Sequence, residues 1–251
     1  MSPLHALETA AFAAWPSLEH EDLFGWHLRY AQGYTKRANS ANATAVAQDL
    51  SPAQIAAIEA RFTERGLRPI FRLASFAAPE GTDSRLAGLG YQFLDLSLVM
   101  RLAGEQLPAP HEAAPFTAAP LTFTDPATWL TAFQQISGKL GPDQAVHLQM
   151  LQAIRHPCAF AVQTDAAGKP VCCGLAVLVA GQVGLFDIAT HSEHRRQGLA
   201  KALCHSLLAW GRERGAQGAY LQVVGANAGA IRLYETMGFR RAYHYWYRVR
   251  V

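Results

Sequence analysis

"IATHSEHRRQGLAKALCHSLLAW", Ile188–Trp210, decides how this chain is read. An apolar run stops at Thr190, a polar turn follows, and Gly198 opens a pattern in which Leu199, Leu203 and Leu207 repeat at helical spacing. A strand that runs through a glycine turn into a helix makes an anion site. The first-turn N–H groups point outward, and the helix dipole adds partial positive charge. Gly198 lets a ligand approach the backbone closely, and Arg195 and Arg196 add charge suited to bidentate phosphate binding. The expected guest is a phosphate or pyrophosphate. The competing reading is an ordinary strand-to-helix turn with solvated arginines.

Outward from this stretch, the 251 residues suffice for one large or two small domains. Hydrophobic residues make up 50% and charged residues 16%, which excludes a disordered chain. A formal net charge of +3 is too mild to argue for nucleic acid, and no basic and aromatic cluster supports it. Four cysteines, Cys158, Cys172, Cys173 and Cys204, form no C-x-x-C pair. Cys172 and Cys173 are adjacent, so on a strand they face opposite ways and make a poor metal pair. Reduced, mostly buried thiols are expected. The N-terminus lacks a basic signal-peptide region, and no apolar run is long enough for a bilayer, so the chain reads as soluble and cytoplasmic, with no membrane partner.

Gly104–Phe116 is rich in Pro and Ala and reads as a linker between two patterned halves. In the first half, Trp26, Leu28 and Tyr30 alternate before a hairpin turn at Gln32–Gly33. Ser51, Pro52 and Gln54 form a capping-box start for a helix whose Ile55, Ile58 and Phe62 share a face and which Gly66 terminates. A strand at 69–75, a short helix and a long strand at 91–102 follow. In the second half, Asp125–Pro126 caps one helix, and a second runs from about Pro142 to Ile154. Strands "AFAVQT", "VCCGLAVLVA" and "VGLFDIAT" precede the Gly198 helix; "AYLQVV", "NAGAIRLYETMG" and "RAYHYWYRVRV" then give strand, helix, strand. Both halves end this way, with "LGY" and "MGF" at matching points, which predicts a duplicated domain.

The Ile188–Trp210 segment resembles the acetyl-coenzyme A motif of the GCN5-related N-acetyltransferases, the GNAT superfamily. That motif reads Arg or Gln, two residues, Gly, one residue, then Gly or Ala, and Arg195, Gly198 and Ala200 match it. Downstream, Asn227, Ala230, Leu233, Tyr234, Glu235, Gly238 and Phe239 resemble the family's second signature. The resemblance covers roughly the second half of the chain. It implies an α/β (α+β) tandem GNAT-like fold, a mixed central sheet flanked by helices, with a splayed-strand acyl-CoA cleft in the C-terminal half. The implied domains are a degenerate GNAT-like domain at 1–103, a linker at 104–116 and a catalytic domain at 117–251.

The family match assigns Ile188, Ala189 and Thr190 to backbone contact with pantetheine. Arg195 belongs to the motif, and Arg196, Gln197, Gly198, Leu199, Ala200 and Lys201 surround the pyrophosphate. Asn227 reaches the coenzyme arm, or caps its helix, or both. Tyr234 matches the tyrosine that acts as general acid on the coenzyme sulfur; packing is the other role open to it. The base has several candidates. Gln222 stands where many relatives carry Glu, and Gly184 where others carry a carboxylate. Asp187 is the nearest carboxylate, with His191 and a water relay also open. The first half lacks the glycine turn, since "ANATAVAQDLSPAQ" holds neither Gly nor Arg. Its Tyr34, Lys36, Arg37 and Asn39 are candidates to wall an acceptor site, with a scaffold role as the alternative. The implied activity is acetyl transfer from acetyl-CoA, without a metal, to a small-molecule amine or a protein N-terminus or lysine. A non-catalytic acyl-CoA-binding module is the alternative.

Overall fold

The computed structural model describes residues 2–109, 121–138 and 143–250. The chain divides into two compact units, and they do not coincide with the two halves expected from the sequence. The first holds Met1–Val99, Val223–Ala228 and Arg241–Val251; the second holds Met100–Gln222 and Gly229–Arg240.

The first unit starts with α1 (Pro3–Ala14), then β1 (Glu19–Leu23), β2 (Trp26–Tyr30), β3 (Ala41–Ala43), α2 (Pro52–Thr63), β4 (Ile70–Ala74) and α3 (Glu80–Gly88). The first part of β5 (Gln92–Ala103) and most of β11 (Arg240–Val249) complete it, in the strand order β1-β2-β3-β4-β11-β5. β3 and β4 are parallel, and β11 runs antiparallel to β4. The capping box on α2 is present: the Gln54 amide donates to Ser51 Oγ at 3.3 Å, and the Ser51 amide donates to Gln54 Oε1 at 2.9 Å. Ile55, Ile58 and Phe62 are buried against Trp26, Leu28, Tyr30, Phe71 and Leu73. β11 is held into this unit by more than its ladder. Tyr243 donates to the buried carboxylate of Glu8, which also pairs with the buried Arg72 of β4.

The second unit contains β6 (Leu121–Thr124), α4 (Pro126–Ser137), α5 (Gln144–Gln152), β7 (Cys158–Thr164), β8 (Pro170–Val179), β9 (Gln182–Thr190), α6 (Leu199–Glu213), β10 (Gly218–Val224, all but its end) and most of α7 (Ala228–Thr236). Its strand order is β10-β9-β8-β7-β6, antiparallel except for the parallel β9–β10 pair. Asp125 caps α4 by accepting from the amides of Ala127 at 2.9 Å and Thr128 at 3.1 Å. The Trp129 indole N–H of α4 donates to the Gly174 carbonyl of β8 at 3.0 Å.

The repeat read in the sequence has a geometric counterpart. Gly90 at φ +87° and Gly238 at φ +95° sit in matching turns. Tyr91 N–H donates to the Leu86 carbonyl and Phe239 N–H to the Tyr234 carbonyl, both at 3.0 Å.

The structure departs from the sequence reading in three places. The return strand of the first hairpin begins only at Ala41, because Lys36–Ala38 wind into a 3-10 turn. The segment expected as a linker begins packed: Leu107 is buried and Gly104 lies so close to the Gln217 carbonyl that a Cβ would sit 2.5 Å from its oxygen. Residues 110–116 of that segment lie outside the described residues, as does the expected helix start at Pro142. Strand β6 was not anticipated; it is short and largely exposed, so its pattern is weak.

Candidate active site

The parallel register of β9 and β10 runs from Gln182↔Gly218 to Leu185↔Leu221 and stops there. β9 nevertheless continues to Thr190 and β10 to Val224. Within this unit and among the described residues, the β10-facing edge of β9 over Ile188, Ala189 and Thr190 has no strand in register. On its other edge β9 stays paired with β8, but with a bulge. Cys173 opposes Ala189 and Leu175 opposes Phe186, so Asp187 and Ile188 together face Gly174. Asp187 takes φ +47°, a left-handed value for a non-glycine residue at the point where the strand is re-aimed.

Below β9 the chain makes the turn that the sequence singled out. Ser192–His194 form a 3-10 turn, Arg195 is extended, Arg196 sits at φ +65° and Gly198 at φ +80°. The first helical bond of α6 runs from the Ala202 amide to the Gly198 carbonyl at 3.0 Å, so the amides of Leu199 and Ala200 have no acceptor within the helix. Two left-handed residues in a four-residue turn present successive amides on one side, a concavity suited to anions. Arg195, Arg196, Gln197 and Gly198 are exposed there, Lys201 is half-buried, and Arg195 Nε reaches the Thr190 carbonyl at 3.5 Å.

Tyr234 of α7 is 8% exposed. Burial raises its phenol well above the ordinary tyrosine range, and the nearby thiols of Cys204 and Cys172 add to this. Burial pushes the Cys172 thiol itself up to about 11, and its Sγ lies 3.3 Å from Thr190 Oγ1. Tyr234 thus shares its surroundings with the last residue of the open β9 edge. Asn227 is exposed and immediately precedes α7.

Asp187 is brought against a residue that sequence reasoning missed. His147 of α5 is buried, and its Nε2 lies 3.2 Å from Asp187 Oδ2. The imidazole is boxed by Trp129 and Phe133, each at near-right angles, with ring centroids 6.1 and 5.6 Å away. The adjacent cysteines mark the two faces of β8: Cys172 has Cys204 of α6 as a neighbour, and Cys173 has Asp187. Gln222, half-buried on β10, has a solvent-shielded Oε1 with no hydrogen-bond partner among the described residues. Gly184 lies where a Cβ would meet the Tyr220 hydroxyl and the Phe186 ring at 2.6 Å, so no carboxylate fits there.

Of the first-unit candidates, Asn39 is structural. Its amide accepts from the backbone of Ala31 at 2.7 Å and Gly33 at 3.0 Å and donates to the Tyr34 carbonyl at 2.7 Å. Lys36 pairs with Asp95 at 2.8 Å. Tyr34, Lys36, Arg37 and Asn39 lie on the hairpin connection and not on a strand. This unit has its own cavity of about 550 Å³ against α1 and β1–β3, with His5, Phe12, His20, Asp22 and His27 on its walls.

A parallel strand pair whose register ends before β9 does, a bulged strand and a glycine cradle at a helix start are the marks of a GCN5-related N-acetyltransferase. The chain belongs to that superfamily and, within it, to the family described as "Probable histone acetyltransferase Rv0428c C-terminal", whose model matches residues 1–248. The chain is 27% identical over 252 residues to YobR of Bacillus subtilis (strain 168), an uncharacterized N-acetyltransferase, and the match covers all of both chains. It is 37% identical over 80 residues to the [Ribosomal protein bS18]-alanine N-acetyltransferase of Escherichia coli (strain K12), covering 32% of this chain and 54% of that enzyme. A solved GCN5-related N-acetyltransferase from Kribbella flavida superposes with a TM-score of 0.71 at 17% identity, over 100% of this chain and 96% of that one. With such relatives the chain is an acetyltransferase. Among the described residues, no helix is long and apolar enough to cross a membrane.

Proposed function

We propose that the protein transfers the acetyl group of acetyl-CoA to a primary amine by direct attack in a ternary complex. The observation that carries this is the cradle of Arg196 and Gly198, both left-handed, directly below the open edge of β9. Arg195–Lys201 fit a pyrophosphate, and Ile188, Ala189 and Thr190 offer an unpaired strand edge to an extended amide-bearing arm. Asn227 is assigned to the same arm. When bound, acetyl-CoA supplies an acyl carbon open to attack and a sulfur that leaves as thiolate. Tyr234, kept protonated by burial, donates its proton to that sulfur. Asp187 takes the proton from the attacking amine, with the buried His147 beside it, Nε2 lying 3.2 Å from Asp187 Oδ2. Gln222 cannot take a proton, and its unpartnered Oε1 is a hydrogen-bond acceptor for the amine.

The acceptor is a small-molecule amine or a protein amine; the name of the E. coli relative supports including N-terminal alanine peptides in the search. We assign the reacting groups to the catalytic half, 117–251, and read 1–103 as the degenerate half. β11 pairs with β4, so we do not expect 117–251 to fold alone.

Calorimetry with acetyl-CoA tests the reading. We expect micromolar-range affinity, weakened more than about tenfold by Gly198→Asp, which sets a carboxylate in the cradle. Unchanged affinity in that variant refutes the cradle assignment. Coenzyme A release with a panel of small amines, lysine peptides and alanine-terminated peptides then separates an enzyme from a non-catalytic acyl-CoA-binding module.

A further inference from the structure

We propose that His191, Glu193 and His194 form a binding site for one divalent transition-metal ion of the zinc, nickel or copper type. The two imidazoles and the carboxylate each present a ligand atom, and all three atoms lie within 4.8 Å of one another. The scaffold beneath them is short and closed. Ser192–His194 form a 3-10 turn whose His194 amide donates to the His191 carbonyl at 2.9 Å. The two rings meet edge to face with centroids 5.9 Å apart.

His191 Nδ1 is shielded from solvent and has no hydrogen-bond partner among the described residues. Glu193 Oε2 faces it at 3.8 Å, too far for a hydrogen bond. That gap suits an ion between them, since two ligands held tetrahedrally at 2.0–2.2 Å from zinc are about 3.4 Å apart. The Glu193 side chain is 75% exposed. Imidazole with one carboxylate selects zinc, nickel or copper over magnesium or calcium, and three protein ligands leave a position for water. The guanidiniums of Arg195 and Arg196 follow directly in sequence and oppose a cation, which sets the affinity in the micromolar range and not that of a structural zinc site. The chain was expected to use no metal, and this site is separate from the groups assigned to chemistry above.

The functional meaning rests on the coenzyme reading. The site joins Thr190 at the end of β9 to the Arg195–Ala200 cradle, so an ion there fixes the turn and adds two positive charges beside the pyrophosphate. The ion site itself does not rest on that reading, and its test contains no coenzyme. Full-length protein, stripped with a chelator and dialysed, is titrated with zinc chloride by calorimetry and with cobalt chloride by absorption. Ten histidines and four cysteines offer other weak sites, so the readout is the loss of one equivalent. One micromolar-range equivalent is expected. It should vanish in His191→Ala/His194→Ala and weaken about tenfold in Glu193→Gln. The cobalt form should show d–d bands without thiolate charge transfer. If the double variant loses its circular-dichroism signal, His194→Gln alone replaces it, and the same equivalent should be lost. Wild-type stoichiometry and affinity in the folded variant, thiolate charge transfer, or no bound equivalent in the wild type overturns the proposal.

Discussion

Replacing Tyr234 with Phe is the sharpest perturbation of the proposed chemistry. The ring is buried and packs edge-on against Phe239 with centroids 6.0 Å apart, and Phe keeps that contact. The phenol's raised pKa comes first from burial and then from neighbouring thiols, so it stays protonated at any pH the assay uses. Two consequences follow. Stability should change by no more than about 1 kcal/mol, the worth of one ordinary hydrogen bond. Transfer should slow by about 10²–10⁴-fold, the span of one positioned acid. The loss should appear equally in kcat and kcat/KM, as for an interaction made only in the transition state. Acetyl-CoA affinity should hold, because the cradle is untouched. No alkaline limb belonging to Tyr234 should appear in the wild-type pH profile. The assay is coenzyme A release with an accepted amine, beside calorimetry and thermal unfolding. Turnover within about twofold of wild type refutes the acid role on that scale, and Tyr234 is then a packing residue.

Asp187→Asn should lower transfer by a comparable factor of about 10²–10⁴. His147→Gln should lower it less, and unchanged kcat and kcat/KM would deny His147 any hold on Asp187. In Gly174→Ala the new Cβ would lie 2.4 Å from Ile188 Cδ1 and 2.9 Å from Leu203 Cδ2, with the backbone pinned by the Trp129 indole. Such overpacking costs about 1–3 kcal/mol, and differential scanning should show a midpoint lower by roughly 2–4 °C per kcal/mol. An unchanged midpoint would mean the bulge tolerates a side chain. His27 is held below its ordinary 6.5, first by burial and against the pull of its 2.7 Å bond to Asp22. The unfolded chain therefore binds the proton more tightly, and stability present above pH 6.5 falls as pH drops through the window below it. His27→Gln should flatten that part of the denaturation profile, and an identical slope in the variant would remove His27 as its source.

The elements that could be read in the sequence are those whose signals are local. The capping box at Ser51–Gln54, the Asp125 cap and the opposed faces of Cys172 and Cys173 depend on residues within one turn or one strand repeat, and all three reappear in the structure. The cradle at Arg195–Ala200 is local too. What stayed hidden depends on partners far along the chain. Alternation in "RAYHYWYRVRV" encodes a strand and its faces but not its neighbour, and β11 pairs with β4, where Val249 meets Ile70. Asn39 looked like a binding group because polarity alone cannot show that five backbone atoms of its own loop use its amide. His147 lies on a helix between Val146 and Met150, where a lone histidine reads as core, and nothing in its spacing points forty residues on to Asp187. Asp187 itself was singled out only as the nearest carboxylate. Its left-handed backbone arises from two residues of β9 opposing one glycine of β8, a register fact that belongs to the sheet. The bulge sets the Asp187 carboxylate against His147 of α5 and follows directly on the end of the β9–β10 register at Leu185. One irregularity thus supplies both the base proposed for the amine and the edge proposed for the coenzyme arm. Restoring regular pairing should therefore impair binding and chemistry together, whereas substituting either Asp187 or Gly198 should impair only one of them.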